Sequence, residues 1–274
     1  MRHPLETIDW RLERAEQHLS TLDHEQATFF SRLEEKDRRI TGHFDSDASE
    51  YVFSLNGDPP DPRIGLIVGE FGHNLRAALD NLLWQLVLLR GGSPTSKTQF
   101  PIYESRERYQ SSLGMLRGIS ADDRALIEAY QPFQIGNGAP DAYLALLAWL
   151  SNVDKHRVLH IGGAFPRRFG IPVYFDSSES PPAGDFPWYA MPIRDVRKVL
   201  GARYVPTMAS DDRTELMRVM IEPSGANPEM EMEGDPPIEI ALSDPKHSLI
   251  LDDLRVMWRQ VVQIVEGFRP RFNI

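Results

Sequence analysis

The chain has 274 residues, of which 40 are acidic and 30 basic, a formal charge of −10, 41% hydrophobic content and no cysteine. That length supports one large domain or two small ones with ample core. The absence of cysteine excludes disulfides, thiolate metal sites and a cysteine nucleophile. The acid surplus excludes sequence-independent binding along a duplex, which needs a basic face, but leaves room for a short RNA or a small anionic ligand in a locally basic cleft. No apolar run is long enough to span a membrane. Met1-Arg2-His3-Pro4 leads directly into a charged amphipathic segment without a secretory pattern, so the expected compartment is the cytoplasm.

Residues 4–36 read as one long helix. Leu5, Ile8, Leu12, Ala15, Leu19, Leu22, Gln26, Phe29 and Leu33 follow a 3,4 spacing, and every one but Gln26 is apolar. The C-terminal segment repeats the pattern at Ile250, Leu254, Met257, Val261, Ile264 and Phe268, with Asp244-Pro245 as its N-cap and first residue. The two ends are therefore expected to pack antiparallel through Leu12, Leu19, Leu22, Leu254, Met257 and Val261. A homodimer zipper is the second use such a seam allows.

Residues 41–50 read as a loop and Tyr51–Leu55 as a short extended segment, followed by the turn cluster Asn56-Gly57-Asp58-Pro59-Pro60. Asp61-Pro62 opens a helix that ends at Gly91-Gly92. A short helix is expected at 105–117, and Ser120-x-x-Asp123 caps another over about 121–130. A further helix carries Leu144–Arg157. Beyond His160 prolines break the chain, and short β-like runs appear at 171–176, 215–222 and 238–242. This section is acidic, with 13 Asp/Glu against 6 Lys/Arg over residues 176–240. The expected fold class is α+β: a helical body at 1–157, a small β-rich section at 158–243, and a C-terminal helix at 244–274 packing back on the first.

The stretch from Gly69 to Trp84 has two unlike faces. At about 100° per residue, Val68, Phe71, Leu75, Leu79, Leu82 and Leu86 share one side, while Glu70, His73, Asn74, Arg76, Asp80 and Asn81 share the other. The polar arc continues into Trp84, Val87 and Leu88, so it is expected to run under protein. Buried there, its polar groups need partners. The matching cargo is Asn152, Asp154, Lys155, His156 and Arg157. Asn152 and His156 are spaced i,i+4, and Asp154 and Arg157 i,i+3. Glu70, Asp80 and Asp154 balance Arg76, Lys155 and Arg157, which suggests one shared site.

Four chemistries fit these residues. A metal could use His73, Asp80, His156 and His160, although the spacing is not diagnostic and the neighbouring cations oppose a dication; no metal or other cofactor is expected. Metal-free RNA cleavage could use His156 or His73 as base and Arg76, with Lys155 and Arg157, to stabilise the phosphorane. A charge-balanced network could instead lock two helices in register. A pocket for a small ligand or a protein partner is the fourth. Phosphate-binding glycine motifs, Gly-x-Ser-x-Gly and His-Glu-x-x-His are absent.

His-Asn-Leu-Arg-Ala-Ala-Leu-Asp-Asn (73–81) followed by Asn-Val-Asp-Lys-His-Arg (152–157) resembles an uncharacterised bacterial family that carries His-Asn-Leu-Arg-Ser-Ala-Leu-Asp-His and Asn-x-Asp-Lys-His-Arg. The resemblance covers about residues 60–160. More distantly the stretch is similar to HEPN-type helical domains, many of which are metal-independent ribonucleases with Arg, four to six residues, then His on one helix. That resemblance implies a role for Arg76 and places Asn81 at the His position. Asn cannot act as a base near neutral pH, so either His156 substitutes or the chain binds without cleaving. The function expected is an intracellular helical module that binds or acts on RNA or a nucleotide, a metal-independent ribonuclease in its sharpest form. The alternative is a non-enzymatic interaction or scaffold protein whose polar cluster is a structural salt-bridge network.

Overall fold

The computed structural model describes residues 3–35, 39–56, 60–134, 143–156, 160–164, 173–176, 190–204, 213–230, 239–243 and 248–272. In chain order the elements are α1 (Glu6–Glu35), β1 (Arg39–Asp45), β2 (Glu50–Asn56), α2 (Arg63–Leu89), α3 (Arg106–Ser111), α4 (Ala121–Ala129) and α5 (Tyr143–His156). Then come β3 (His160–Ala164), β4 (Val173–Asp176), β5 (Ala190–Arg194), β6 (Val196–Tyr204), β7 (Arg213–Pro223), β8 (Glu229–Met230), β9 (Glu239–Ser243), β10 (Ser248–Ile250) and α6 (Leu251–Phe268). The class is α+β. The chain forms two compact units, one from residues 1–23, 66–158 and 252–274, the other from 24–65 and 159–251. Among the described residues, no helix is long and apolar enough to cross a membrane.

In the first unit the seam of α1 is buried at Leu5, Ile8, Leu12, Ala15, Leu19 and Leu22, and that of α6 at Leu254, Met257, Val261, Ile264 and Phe268. Three cross-links set their direction. Arg269 Nη2 donates to Asp9 Oδ1 at 2.7 Å, Trp258 Nε1 donates to the Leu12 carbonyl at 3.1 Å, and Arg255 pairs with Asp23. Partner numbers fall along α6 as they rise along α1, so the helices run antiparallel, as the matched spacings predict. Burying these stripes removes apolar surface from water, which is the main stabilising term here.

The start of α6 departs from the sequence reading. The helix begins at Leu251, and Ser248–Ile250 is a strand, with Leu249 opposite Leu242 and Ile250 opposite Ala241. Ladder partners hold these residues extended, and Asp252 and Asp253 supply the acidic first turn that suits a helix N-terminus. Asp244-Pro245 lies outside the described residues. The other helix signals hold. Asp61 Oδ1 accepts the Arg63 amide at 2.8 Å, and hydrogen bonds from Arg63 hold its carboxyl down at about 2. Ser120 Oγ accepts the Asp123 amide at 3.1 Å, closing the predicted cap. At the far end of α2, Gly91 takes φ +70, the left-handed turn that stops the helix.

The second unit is more β-rich than its sequence suggests. Of the loop expected at 41–50 only the turn 46–49 is found: residues 41–45 belong to β1, which pairs antiparallel with β2 from Arg39 opposite Asn56 to Asp45 opposite Glu50. The hairpin joins a four-stranded sheet in the order β1-β2-β7-β6. The period-2 pattern of β1 is weak because its apolar side is Ile40, Gly42 and Phe44. The ring of Tyr51 occupies the space a Cβ at Gly42 would need. Two further sheets, β10-β9-β3 and β4-β5-β8, complete this unit.

Candidate functional site

The polar arc of α2 divides three ways. Toward α1, Asn74 Oδ1 accepts from Arg11 Nη1 at 3.3 Å, while its Nδ2 donates to the Glu70 carbonyl at 2.8 Å. Glu70 Oε2 lies 3.5 Å from Nε2 of His18, a histidine only 5% exposed on the buried side of α1. Burial first, and the charge of Arg14 second, lower the His18 pKa, with Glu70 opposing them.

Toward the extended segment after α2, Arg76 and Asp80 hold both backbone groups of a single residue, Phe100. Arg76 Nη2 donates to the Phe100 carbonyl at 2.7 Å and Asp80 Oδ1 accepts the Phe100 amide at 2.8 Å. The two side chains also pair with each other at 3.0 Å. One and three residues further, at Pro101 and Tyr103, the fully buried Gln131 just past the end of α4 does the same job. Its Oε1 accepts the Tyr103 amide at 3.1 Å and its Nε2 donates to the Pro101 carbonyl at 2.9 Å. A buried extended segment without a strand beside it must satisfy its backbone some other way. Here Arg76, Asp80 and Gln131 do so, taking the place of a β-partner.

The third part of the arc is open. His73 is exposed and Asn81 partly so. Trp84 and Leu88 are 40% and 46% exposed, so the expectation that this face runs under protein is corrected, although Val87 is buried. The cause is one of direction: the extended segment covers only the Arg76/Asp80 side of the arc.

The second half of the expected site is only partly visible. On α5, Asn152 is exposed. Asp154, Lys155 and His156 occupy the last turn of that helix, but their side chains, like Arg157 as a whole, lie outside the described residues. The two helices do meet, one turn earlier, where Leu150 sits over Gly72. Among the described residues no group of three His, Asp or Glu side chains is placed to hold a metal ion.

No protein-family model, curated protein or solved structure matches this chain.

Three features had no place in the sequence reading. The first is what Asp123 does beyond its predicted cap: 1% exposed, it accepts from Ser120 Oγ at 2.6 Å and from Arg271 Nε at 3.1 Å, with Arg90 at 3.6 Å, and so ties the turn after α6 to α4. The second lies in the sheet unit: Glu50 is 7% exposed and lies between Arg203 Nη2 at 3.0 Å and Arg218 Nη1 at 3.1 Å. The hydrogen bond from Arg203 is the main reason its carboxyl titrates below the ordinary value. Arg218 is held in turn by Glu215 at 2.7 Å. The third is an open cavity of about 750 Å³ between the loop after α2 and the turn after α3, lined by residues 93–99 on one side and 111–118 on the other, with Val87 among the lining residues. A run of Gly, Ser and Thr around one Lys, with no carboxylate, was the signal for it in the sequence.

Proposed function

We propose that the chain is a non-enzymatic binding module, in which the polar arc of α2 is architecture. One observation carries this reading: both charged groups of the Arg76–Asp80 pair are engaged by the backbone of Phe100. The guanidinium therefore already has a carboxylate and a carbonyl as partners. It would have to leave both to neutralise a phosphorane, exposing a buried amide and carbonyl as it went. What the pair does instead is fix the 91–103 connection against α2. The likeness of 73–81 to the bacterial His-Asn-Leu-Arg motif then reflects a shared clamp rather than shared chemistry. Metal-free RNA cleavage by Arg76 with His156 or His73 is the competing reading, and it predicts the opposite behaviour.

The test uses wild type, Arg76→Ala and His156→Ala in two assays, turnover of a generic RNA in chelator and thermal melting. The clamp expects no turnover by any of the three and a marked loss of melting temperature in Arg76→Ala. RNA turnover by wild type that both substitutions abolish, with melting unchanged, would overturn it.

A further inference from the structure

The cavity between residues 93–99 and 111–118 holds an arrangement of donors and acceptors that is unusual for so acidic a chain. Its lining has two cations, Lys97 and Arg117, six serine or threonine hydroxyls, and neither a carboxylate nor an aromatic ring. Neither cation forms an ion pair with a described residue. The surrounding stretch 91–118 carries Lys97, Arg106, Arg108 and Arg117 against Glu104 and Glu107, while the whole chain is at −10. An anion is attracted here and repelled by much of the remaining surface.

The hydroxyls sort by what they have left to offer. On the 93–99 wall, Thr98 Oγ1 accepts the Thr95 amide at 3.0 Å and Thr95 Oγ1 accepts the Lys97 amide at 3.3 Å. Each uses a lone pair on the backbone and keeps its O–H to donate. On the 111–118 wall, Ser111 and Ser112 donate to the carbonyls of Arg108 and Tyr109 at 2.8 and 2.7 Å. These two keep lone pairs to accept. One wall is thus rich in donors and the other mixes acceptors with the Arg117 guanidinium.

From these observations we propose that the cavity binds a small sugar phosphate. Lys97, Arg117 and the threonine hydroxyls suit a phosphate monoester, which only accepts. Ser111 and Ser112 suit sugar hydroxyls, which also need acceptors; a bare phosphate would leave them unused. The volume falls within the range of small-molecule sites. A nucleotide fits less well, since no aromatic face lines the cavity to stack a base. The inference rests on the clamp reading, because Arg76 and Asp80 fix Phe100 at the end of the 93–99 wall.

The experiment is isothermal titration of the full chain with glucose 6-phosphate, ribose 5-phosphate, glycerol 3-phosphate, glucose, inorganic phosphate and adenosine monophosphate. At least one sugar phosphate should bind at submillimolar concentration, with glucose, phosphate and the nucleotide each weaker by about tenfold or more. Lys97→Gln and Arg117→Gln, both on the exposed rim, should each weaken binding about tenfold. Gly114→Asp should abolish it. A Cβ there meets nothing within 4 Å, so the variant adds a repelling carboxylate without a clash. If Gly114→Asp does not fold by circular dichroism, the two rim variants decide. No sugar phosphate binding at millimolar concentration, a nucleotide that binds tighter, or affinity unchanged in the variants would each overturn the proposal. Asp80→Ala separates the two readings: an unstable Asp80→Ala with no sugar phosphate binding in wild type leaves the clamp standing and removes only the ligand.

Discussion

Gly72 of α2 lies so close to Leu150 of α5 that a Cβ at Gly72 would stand 2.8 Å from Leu150 Cδ2 and 3.1 Å from its Cγ. Leu150 is fully buried, so it has little space into which to withdraw. Glycine inside a helix costs stability relative to alanine, and here close approach of the neighbouring helix is the reason for it. Gly72→Val should destabilise the protein by about 2 kcal/mol through overpacking. The denaturant midpoint measures this, and Leu150→Ala in the same chain should recover part of the loss. Additive losses in the double variant would show that the two residues do not meet.

Asp80→Ala removes the counterion of Arg76 and the acceptor of a buried amide together. We expect a loss of about 3 kcal/mol. Asp80→Asn should recover part of it, since the amide oxygen can still accept from Phe100. A loss below about 0.5 kcal/mol in a urea melt would mean that water replaces the carboxylate freely.

Glu50 gives the sheet unit an acid-sensitive element. Its folded pKa lies below the ordinary 4.5, chiefly through Arg203. The stability it contributes is full above the unfolded value and is lost as pH falls through the folded one. Glu50→Gln should therefore lower stability at neutral pH, by about 1 kcal/mol since Arg203 is more than half exposed, and flatten the acid limb of the stability curve. Parallel acid limbs in the two proteins would refute this.

His18 shifts stability in a higher window and in the same direction as Glu50, although here burial rather than an ion pair lowers the pKa. Its folded pKa lies below 6.5 because burial disfavours the imidazolium. Above 6.5 neither state takes up a proton and the group contributes no pH dependence. As pH falls below 6.5 the unfolded chain gains a proton that the folded one resists, so stability drops until the folded value is reached and then levels. His18→Gln should reduce the difference in melting temperature between about pH 7.5 and about pH 5.5. An unchanged difference would assign the slope to other groups.

What was legible in the sequence follows from periodicity. The 3,4 stripes of α1 and α6 named their own contacts, and the Asp61 and Ser120 caps marked helix starts, because these signals are local. The hairpin of β1 and β2 was hidden because Gly42 takes the place of an apolar side chain, and the acceptor of its shape, the ring of Tyr51, is nine residues away. The candidate site was half legible. Helical periodicity picked out Arg76 and Asp80, on the polar arc of α2, as residues in need of partners. That their partner is the backbone of one residue, Phe100, depends on where the chain returns after Gly92, and no spacing encodes that return. The cavity's shape is illegible in the sequence for a related reason: its two walls share no pattern and meet only through the same return.

The way the first unit is divided along the chain bears on how it is made. Its segments are 1–23, 66–158 and 252–274. At a translation rate of about 5–20 residues per second, α1 leaves the ribosome on the order of ten seconds before α6 exists. Throughout that interval Leu12, Leu19 and Leu22 have no α6 to lie against. Residues 252–274, made long after α1, are thus the ones that complete its apolar seam. A stop codon even shortly before Leu251 would leave that stripe bare, making the nascent chain a client for chaperones and its truncated products targets for proteolysis.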